Sequence, residues 1–234
     1  MKSDHSICAV IPVHNAEATI GEVIDKTQTY IERVIVVNDG STDKTGRIAS
    51  QRAVEFLNNP IQRGKGFALR LGFEYALRNG CQAIVTLDAD GQHDPADIPK
   101  FLQAHEKDSS AILVGSRMGE AEKFPRSRYY SNRAGVFFIS RVLGQYLEDT
   151  QCGFRLYPAS VIRPMKITTS HFQTETEILI RATRQGTRIV SVPIKNIYWN
   201  GHPTNDKVPK SNFRPFVDTL YICLIVLKGY LRIL

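Results

Sequence analysis

No run of uncharged apolar residues in this chain approaches the roughly 20 needed to cross a bilayer as a helix. The most apolar C-terminal stretch, "FVDTLYICLIVLKGYLRIL", holds nine uncharged residues between Asp218 and Lys228. Its length suits either a buried terminal helix or an interfacial helix with Lys228 and Arg232 near headgroups. Cysteine is sparse as well: Cys8, Cys81, Cys152 and Cys223 form no CxxC pair. Most of them are therefore expected to be reduced, buried thiols. The first residues, "MKSDHSICAVIPV", lack a signal-peptide layout, so a cytoplasmic protein is expected. Biased segments and fixed-period repeats are missing too, which excludes a disordered tail or a solenoid. Neither GxGxxG nor GxxxxGK[ST] occurs, which weakens dehydrogenase and P-loop readings.

What is present fits one α/β domain. The 234 residues can bury a full core, and 42% hydrophobic with 23% charged residues is ordinary for a folded protein. Net charge is +7, from 30 basic and 23 acidic residues. Such an excess suits nucleic acid, an anionic membrane surface or phosphorylated substrates. With no RNP-like motif, zinc-finger spacing or long basic run, no nucleic-acid partner is expected.

The hydrophobic pattern alternates strands and helices. Strands are predicted over 7–13, 33–39, 54–59, 82–87 and 110–116, and helices over 16–30, 43–53, 65–78 and from Pro95. The second half reads as a helix over 129–147, a strand at 152–158, a helix over 174–186 and a strand over 187–194. Continuous apolar strands alternating with amphipathic helices indicate a mostly parallel sheet covered on both faces. The polar loop 199–212, "WNGHPTNDKVPKSN", is a candidate mobile lid. The predicted division is a domain over 1–214 and an apolar or amphipathic helix over 215–234.

In such sheets ligands gather outside the carboxyl ends of the strands. The motifs "NDGSTD", "NPIQRGKG", "DADGQHD" and "GSR" each follow a strand's end and should meet at one rim. Asp88 and Asp90 lie two apart beside Gln92, and hard oxygen ligands of this kind suit Mg²⁺ or Mn²⁺. A solvated turn with Asp94 capping the next helix explains the acids as well. Arg63 and Lys65 flank glycines at a helix start, where free N–H groups attract anions. Arg117 offers a phosphate clamp or an ordinary surface salt bridge. Asp39 ends a strand where it can accept a nucleobase N–H, and Thr42 or Asp43 can cap the next helix.

"IPVHNAEATI", "VVNDGSTDKT", "GKGFALRLG", "TLDADGQHDP", "VGSR" and "DTQCGFRLY", in that order, resemble the family-2 glycosyltransferases. Their dolichyl-phosphate mannosyltransferase-like branch is the most similar. The resemblance covers nearly the whole chain and implies a GT-A fold, with a Rossmann-like mostly parallel sheet. It further implies inverting, metal-dependent transfer of a hexose from a nucleotide-sugar of the GDP-mannose or UDP-glucose type. Position by position it implies nucleotide contacts from Pro12, Glu17, Asp39, Lys65 and Asp88. Asp90 and Gln92, with Asp88, would hold Mg²⁺ or Mn²⁺, and Arg117 would contact the diphosphate. His14-Asn15-Ala16 stands where the family has Tyr-Asn-Glu, which leaves the nucleobase open.

A polyprenyl-phosphate acceptor is already anionic and needs no general base, whereas a hydroxyl of a glycolipid or cell-surface polysaccharide does. Asp149 is the leading base candidate and Glu175 the second, although a solvated helix face is expected for at least one of Glu175 and Glu177. His202, Lys207, Lys210 and Arg214 are candidates for the acceptor phosphate. The expected location is the cytoplasmic face of a membrane, bound peripherally. A sugar nucleotidyltransferase would want a glycine-rich basic loop near the start, which "PVHNAEATI" lacks, and a non-catalytic nucleotide-binding module is the remotest alternative.

Overall fold

The computed structural model describes residues 6–118, 126–195 and 214–234, without the side chains of 126–134 and 215–216. In chain order the elements are β1 (Ile7–Val13), α1 (Ile20–Gln28), β2 (Arg33–Asp39), α2 (Thr45–Ser50), β3 (Glu55–Asn59), α3 (Lys65–Arg78) and β4 (Ala83–Thr86). There follow α4 (Ile98–Lys107), β5 (Ile112–Ser116), α5 (Arg126–Leu143), β6 (Arg155–Pro158) and α6 (Ala159–Ile162). The last three are α7 (Gln173–Arg184), β7 (Ile189–Pro193) and α8 (Pro215–Tyr230).

The strands form one sheet in the order β3-β2-β1-β4-β6-β5-β7. All pairings are parallel except those of β6, which runs antiparallel between β4 and β5. Six residues of β1 and six of β2 are buried, as expected for strands covered on both faces. The two faces can be told apart at β6. Phe154, just before it, stacks on Phe101 of α4 at 4.4 Å, and Tyr157, three residues on, meets the edge of Phe73 of α3 at 5.3 Å. An odd spacing in an extended segment puts the two rings on opposite faces, so α3 and α4 cover different sides. Gly72 brings α3 close to the sheet, since a Cβ there would meet Val10 and Val37.

Every predicted strand is found, the first two with the expected ends and the others with shifted ends. The first helix starts at Ile20 rather than 16 because residues 16–19 form a turn, with Thr19 and Ile20 N–H groups both donating to the Ala16 carbonyl. The helix predicted over 129–147 stops at Leu143, where Gly144 adopts a left-handed φ of 71°. Before α4, Pro95–Asp97 form a 3-10 turn capped by Asp94, whose side chain accepts from the Ala96 N–H. The expected lid, with His202, Lys207 and Lys210, lies outside the described residues.

The helix α8 packs on α7 and α5 by one face only. Ile225 and Asp218 are buried, while Leu220, Leu224 and Leu227 are exposed. No helix among the described residues is long and apolar enough to cross a membrane.

Candidate active site

The carboxyl ends of β1, β2, β4 and β5 deliver the predicted residues to one rim. Pro12 lies in β1, paired with Val37 of β2. Asp39 ends β2 and is nearly fully buried. Its carboxylate accepts from Asn59 Nδ2 at 2.8 Å and from the Arg63 and Gly64 backbone N–H groups at 3.0 and 2.6 Å. Asp39 therefore fastens the loop that leads into α3. Exposed Glu17 accepts from the Lys44 N–H at 3.0 Å, tying the turn after β1 to the turn after β2. Asp43 accepts from the Thr45 N–H at 2.9 Å in the turn before α2, but it lies one residue before the N-cap, Lys44, which makes no side-chain cap.

Lys65, the first residue of α3, reaches across the rim. Its Nζ lies 2.5 Å from Asp88 Oδ1 and 3.0 Å from Glu175 Oε2. Burial alone would lower the ammonium's pKa, but the charges of Asp88 and Glu175 outweigh it and raise the pKa. Burial would likewise raise the Asp88 carboxyl, and the Lys65 charge overrides it, holding Asp88 at about 2. Behind Asp88 stands Gly153, where a Cβ would lie 2.5 Å from Asp88 Oδ2, so only glycine leaves the carboxylate room.

Two residues on, Asp90 lacks such a cation. Burial, and then the neighbouring Asp88 charge, push its carboxyl above the usual range. One oxygen accepts from the Gln92 N–H at 3.0 Å, which curls the turn around the acid. Buried His93 closes this turn: its Nδ1 accepts from the Asp88 N–H at 3.3 Å, and Nε2 lies 3.6 Å from Cys152 Sγ. Burial holds the imidazole neutral against the pull of both acids.

From β5, Arg117 forms a two-point pair with Asp149, Nε to Oδ2 at 2.7 Å and Nη2 to Oδ1 at 3.1 Å. Asp149 is inaccessible to solvent. Burial would raise its carboxyl, but the Arg117 guanidinium holds it below the ordinary value. The surface salt bridge read as an alternative for Arg117 is instead a largely buried one.

The solvated-face expectation for Glu175 and Glu177 is overturned. Both are buried. Glu175 faces Lys65, and Glu177 accepts from Thr168, Thr169 and Arg181. Of the acceptor candidates only Arg214 is described; it is exposed and donates its N–H to Asp218 at 2.6 Å. Sequence reasoning also missed Arg155. It is fully buried and donates to the carbonyls of Cys152, Thr150 and Glu175 at 2.6, 3.0 and 3.0 Å, binding the 149–153 segment to α7. Its signal was the "CGFR" inside a quoted motif, to which no role had been attached.

The donor set fits a hard divalent cation. Asp88 and Asp90 are neighbouring oxygen donors, and the raised Asp90 carboxyl is a group that a cation would relieve. No cluster of three or more His, Cys, Asp or Glu ligands stands ready among the described residues. Mg²⁺ needs only one or two carboxylates and draws the rest of its shell from water and substrate phosphates.

A mostly parallel sheet with an acidic turn at its rim, faced by half-buried Lys65 and Arg117, defines a nucleotide-sugar transferase of the GT-A type. A family model for "Glycosyl transferase family 2" matches residues 8–165. The chain belongs to this family and is a family 2 glycosyltransferase. It is 32% identical over 220 residues to the UDP-N-acetylglucosamine–dolichyl-phosphate N-acetylglucosaminyltransferase of Methanococcus voltae, covering 84% of this chain and 87% of that one. It is 30% identical over 201 residues to the undecaprenyl-phosphate mannosyltransferase of Micrococcus luteus, covering 80% and 82%. The fold matches glucosyl-3-phosphoglycerate synthase of Mycobacterium tuberculosis, solved with uridine diphosphate, at a TM-score of 0.69 and 18% identity over 97% of this chain and 81% of that one. The same synthase has been solved with Mn²⁺ and with Mg²⁺ beside uridine diphosphate.

Proposed function

We propose that this chain transfers a hexose from a nucleotide-sugar to a polyprenyl phosphate, inverting the anomeric centre. The observation that carries this reading is that both candidate bases are already held by cations, Asp149 by Arg117 and Glu175 by Lys65. Burial would raise the Asp149 carboxyl, but the Arg117 guanidinium holds it below its ordinary value and so makes it a weak proton acceptor, whereas a hydroxyl nucleophile needs a strong one. A lipid phosphate brings its own anionic oxygen and needs none. The relatives named for dolichyl- and undecaprenyl-phosphate transfer support the same acceptor class.

In this reading Asp39, Glu17 and Pro12 shape the nucleoside pocket, and Asp88, Asp90 and Gln92 hold Mg²⁺ or Mn²⁺. When bound, the cation neutralises charge on the donor's diphosphate. Lys65 and Arg117 supply fixed positive charge at the same rim, where charge builds on the leaving nucleoside diphosphate. Asp149 keeps Arg117 aimed, and Arg155 locks the segment that carries Asp149. The acceptor oxygen attacks the anomeric carbon from the face opposite the leaving group. The chain works at a membrane surface, with α8 as its contact.

Purified protein with Mn²⁺ or Mg²⁺ is offered GDP-mannose, UDP-glucose or UDP-GlcNAc, with and without undecaprenyl phosphate in detergent. Lipid-linked sugar from one donor, lost in Asp90→Ala, is the expected result. Donor hydrolysis without lipid product, or product only with a hydroxyl acceptor, would overturn the acceptor assignment.

A further inference from the structure

Three helices that reach away from the rim converge on a second basic site. Arg141 of α5, Arg184 of α7 and Arg232, just past α8, line one open cleft of about 580 Å³ together with Val142, Gly229 and Tyr230. Gly229 makes the convergence possible, since a Cβ there would lie 2.8 Å from Val142 Cγ1 and 3.0 Å from Ile180 Cδ1. Arg184 is fixed in place, donating to the Gly229 carbonyl and, at 3.1 Å, to the Leu234 carbonyl. Other arginines of the second half have acids: Arg181 pairs with Glu177, Arg188 with Asp108 and Arg214 with Asp218. Among the described residues no Asp or Glu side chain pairs with Arg141, Arg184 or Arg232.

The cleft also sits in an apolar surround. Arg141 follows the exposed Phe137 and Phe138 by one helical turn. Tyr230 joins the cleft to the exposed row Leu220, Leu224 and Leu227 on α8. Guanidinium groups that fit phosphate, flanked by aliphatic and aromatic side chains, are the chemistry of a bilayer interface.

The position matters too. Near its start α8 lies by the rim, where the ring of Tyr221 stacks on His171 at 6.1 Å. Its end lies at Arg184, the far end of α7 from Glu175, about 14 Å along that helix. So α8 runs beside α7 from the active-site rim to the arginine cleft.

We propose that Arg141, Arg184 and Arg232 form a binding site for the phosphate of an anionic phospholipid headgroup, separate from the catalytic rim. With that headgroup bound and the leucine row in the acyl boundary, α8 lies flat on the bilayer. The catalytic rim is then held at the membrane surface. The site rests on the membrane-surface part of the proposed function and is independent of which sugar or acceptor is used.

The test is sedimentation of the full chain with vesicles of phosphatidylcholine alone or mixed with phosphatidylglycerol, alongside donor turnover in detergent. Wild type binds the mixed vesicles more tightly, and added salt weakens that binding. Arg141→Gln/Arg232→Gln weakens it about fivefold per arginine, roughly 25-fold together, with turnover in detergent unchanged. Arg141→Lys/Arg232→Lys keeps most of the binding and guards against a misfolded Gln variant. Equal binding by wild type and the Gln variant, or no preference for mixed vesicles, overturns the site. So does release of wild type by inorganic phosphate at the concentration of lipid phosphate, which would make the ligand a soluble anion. Loss of turnover in wild type with vesicle binding intact would instead count against the catalytic reading alone.

Discussion

Asp149 shows how a motif can find a residue without showing its partner. Its place in "EDTQCGFR" made it a base candidate, but the partner that decides its chemistry, Arg117, comes from another strand 32 residues earlier. Nothing in a single sequence reports that pairing. The same holds for Lys65, Asp88 and Glu175, which three separate motifs bring to one point. A solvated face is expected for at least one of Glu175 and Glu177 because helix periodicity cannot see Lys65 opposite the first or the Thr168 and Thr169 hydroxyls that fold back onto the second. By contrast Asp94 was legible as a cap because its partner is two residues away. For Asp149→Asn, loss of a buried ion pair should cost about 3 kcal/mol and slow transfer about 100-fold. The pH dependence follows from the sign of the shift. A carboxyl lowered in the folded state stabilises above its unfolded value of about 3.9 and loses that contribution as pH falls through the lowered value. Thermal melts should therefore show a wide gap between wild type and Asp149→Asn at pH 7 that narrows below about pH 4. A gap independent of pH would mean that the carboxylate's charge is not what stabilises.

At the scale of elements the alternation of strand and helix was legible because most strands carry an apolar run and most helices keep one buried stripe. The antiparallel insertion of β6 was not. A four-residue strand gives no directional signal, and its place between β4 and β5 is set by packing of Phe154 and Tyr157 on opposite faces. The join of α3 to the segment before α7 was equally hidden. Gly64 adopts φ 103°, and a Cβ there would lie 2.6 Å from the Ser170 carbonyl oxygen. Gly66, in the first turn of α3, packs so closely on Thr174 that an added methyl overlaps its side chain. These two glycines let Lys65 approach Glu175. Gly66→Ala should push α3 and α7 apart, at a cost of about 1–3 kcal/mol by denaturant titration. Nucleoside diphosphate affinity should fall with it, because Lys65 moves with the backbone. Unchanged stability with unchanged affinity would show that α7 yields freely and that the close packing is incidental.

At the scale of the molecule, the basic excess and the apolar C-terminal stretch were both visible in the sequence, but their relation was not. The charge of +7 carried no address. Folding brings three of its arginines, each more than 40 residues from the next in the chain, to one cleft, with α8 laid between that cleft and the rim. If the catalytic reading and the headgroup site both hold, membrane attachment acts on acceptor delivery and not on the chemical step. A long polyprenyl phosphate in vesicles reaches the rim only when the protein is docked. A short-chain, water-soluble prenyl phosphate reaches it by diffusion. Arg141→Gln/Arg232→Gln should therefore raise KM for the vesicle-borne acceptor by about tenfold or more, in line with its weakened vesicle binding. The kcat and KM for the short-chain acceptor should stay at wild-type values. An equal loss with both acceptors would place the arginines' effect inside the catalytic domain's own structure. No loss with either would mean that the rim captures its lipid without the help of α8.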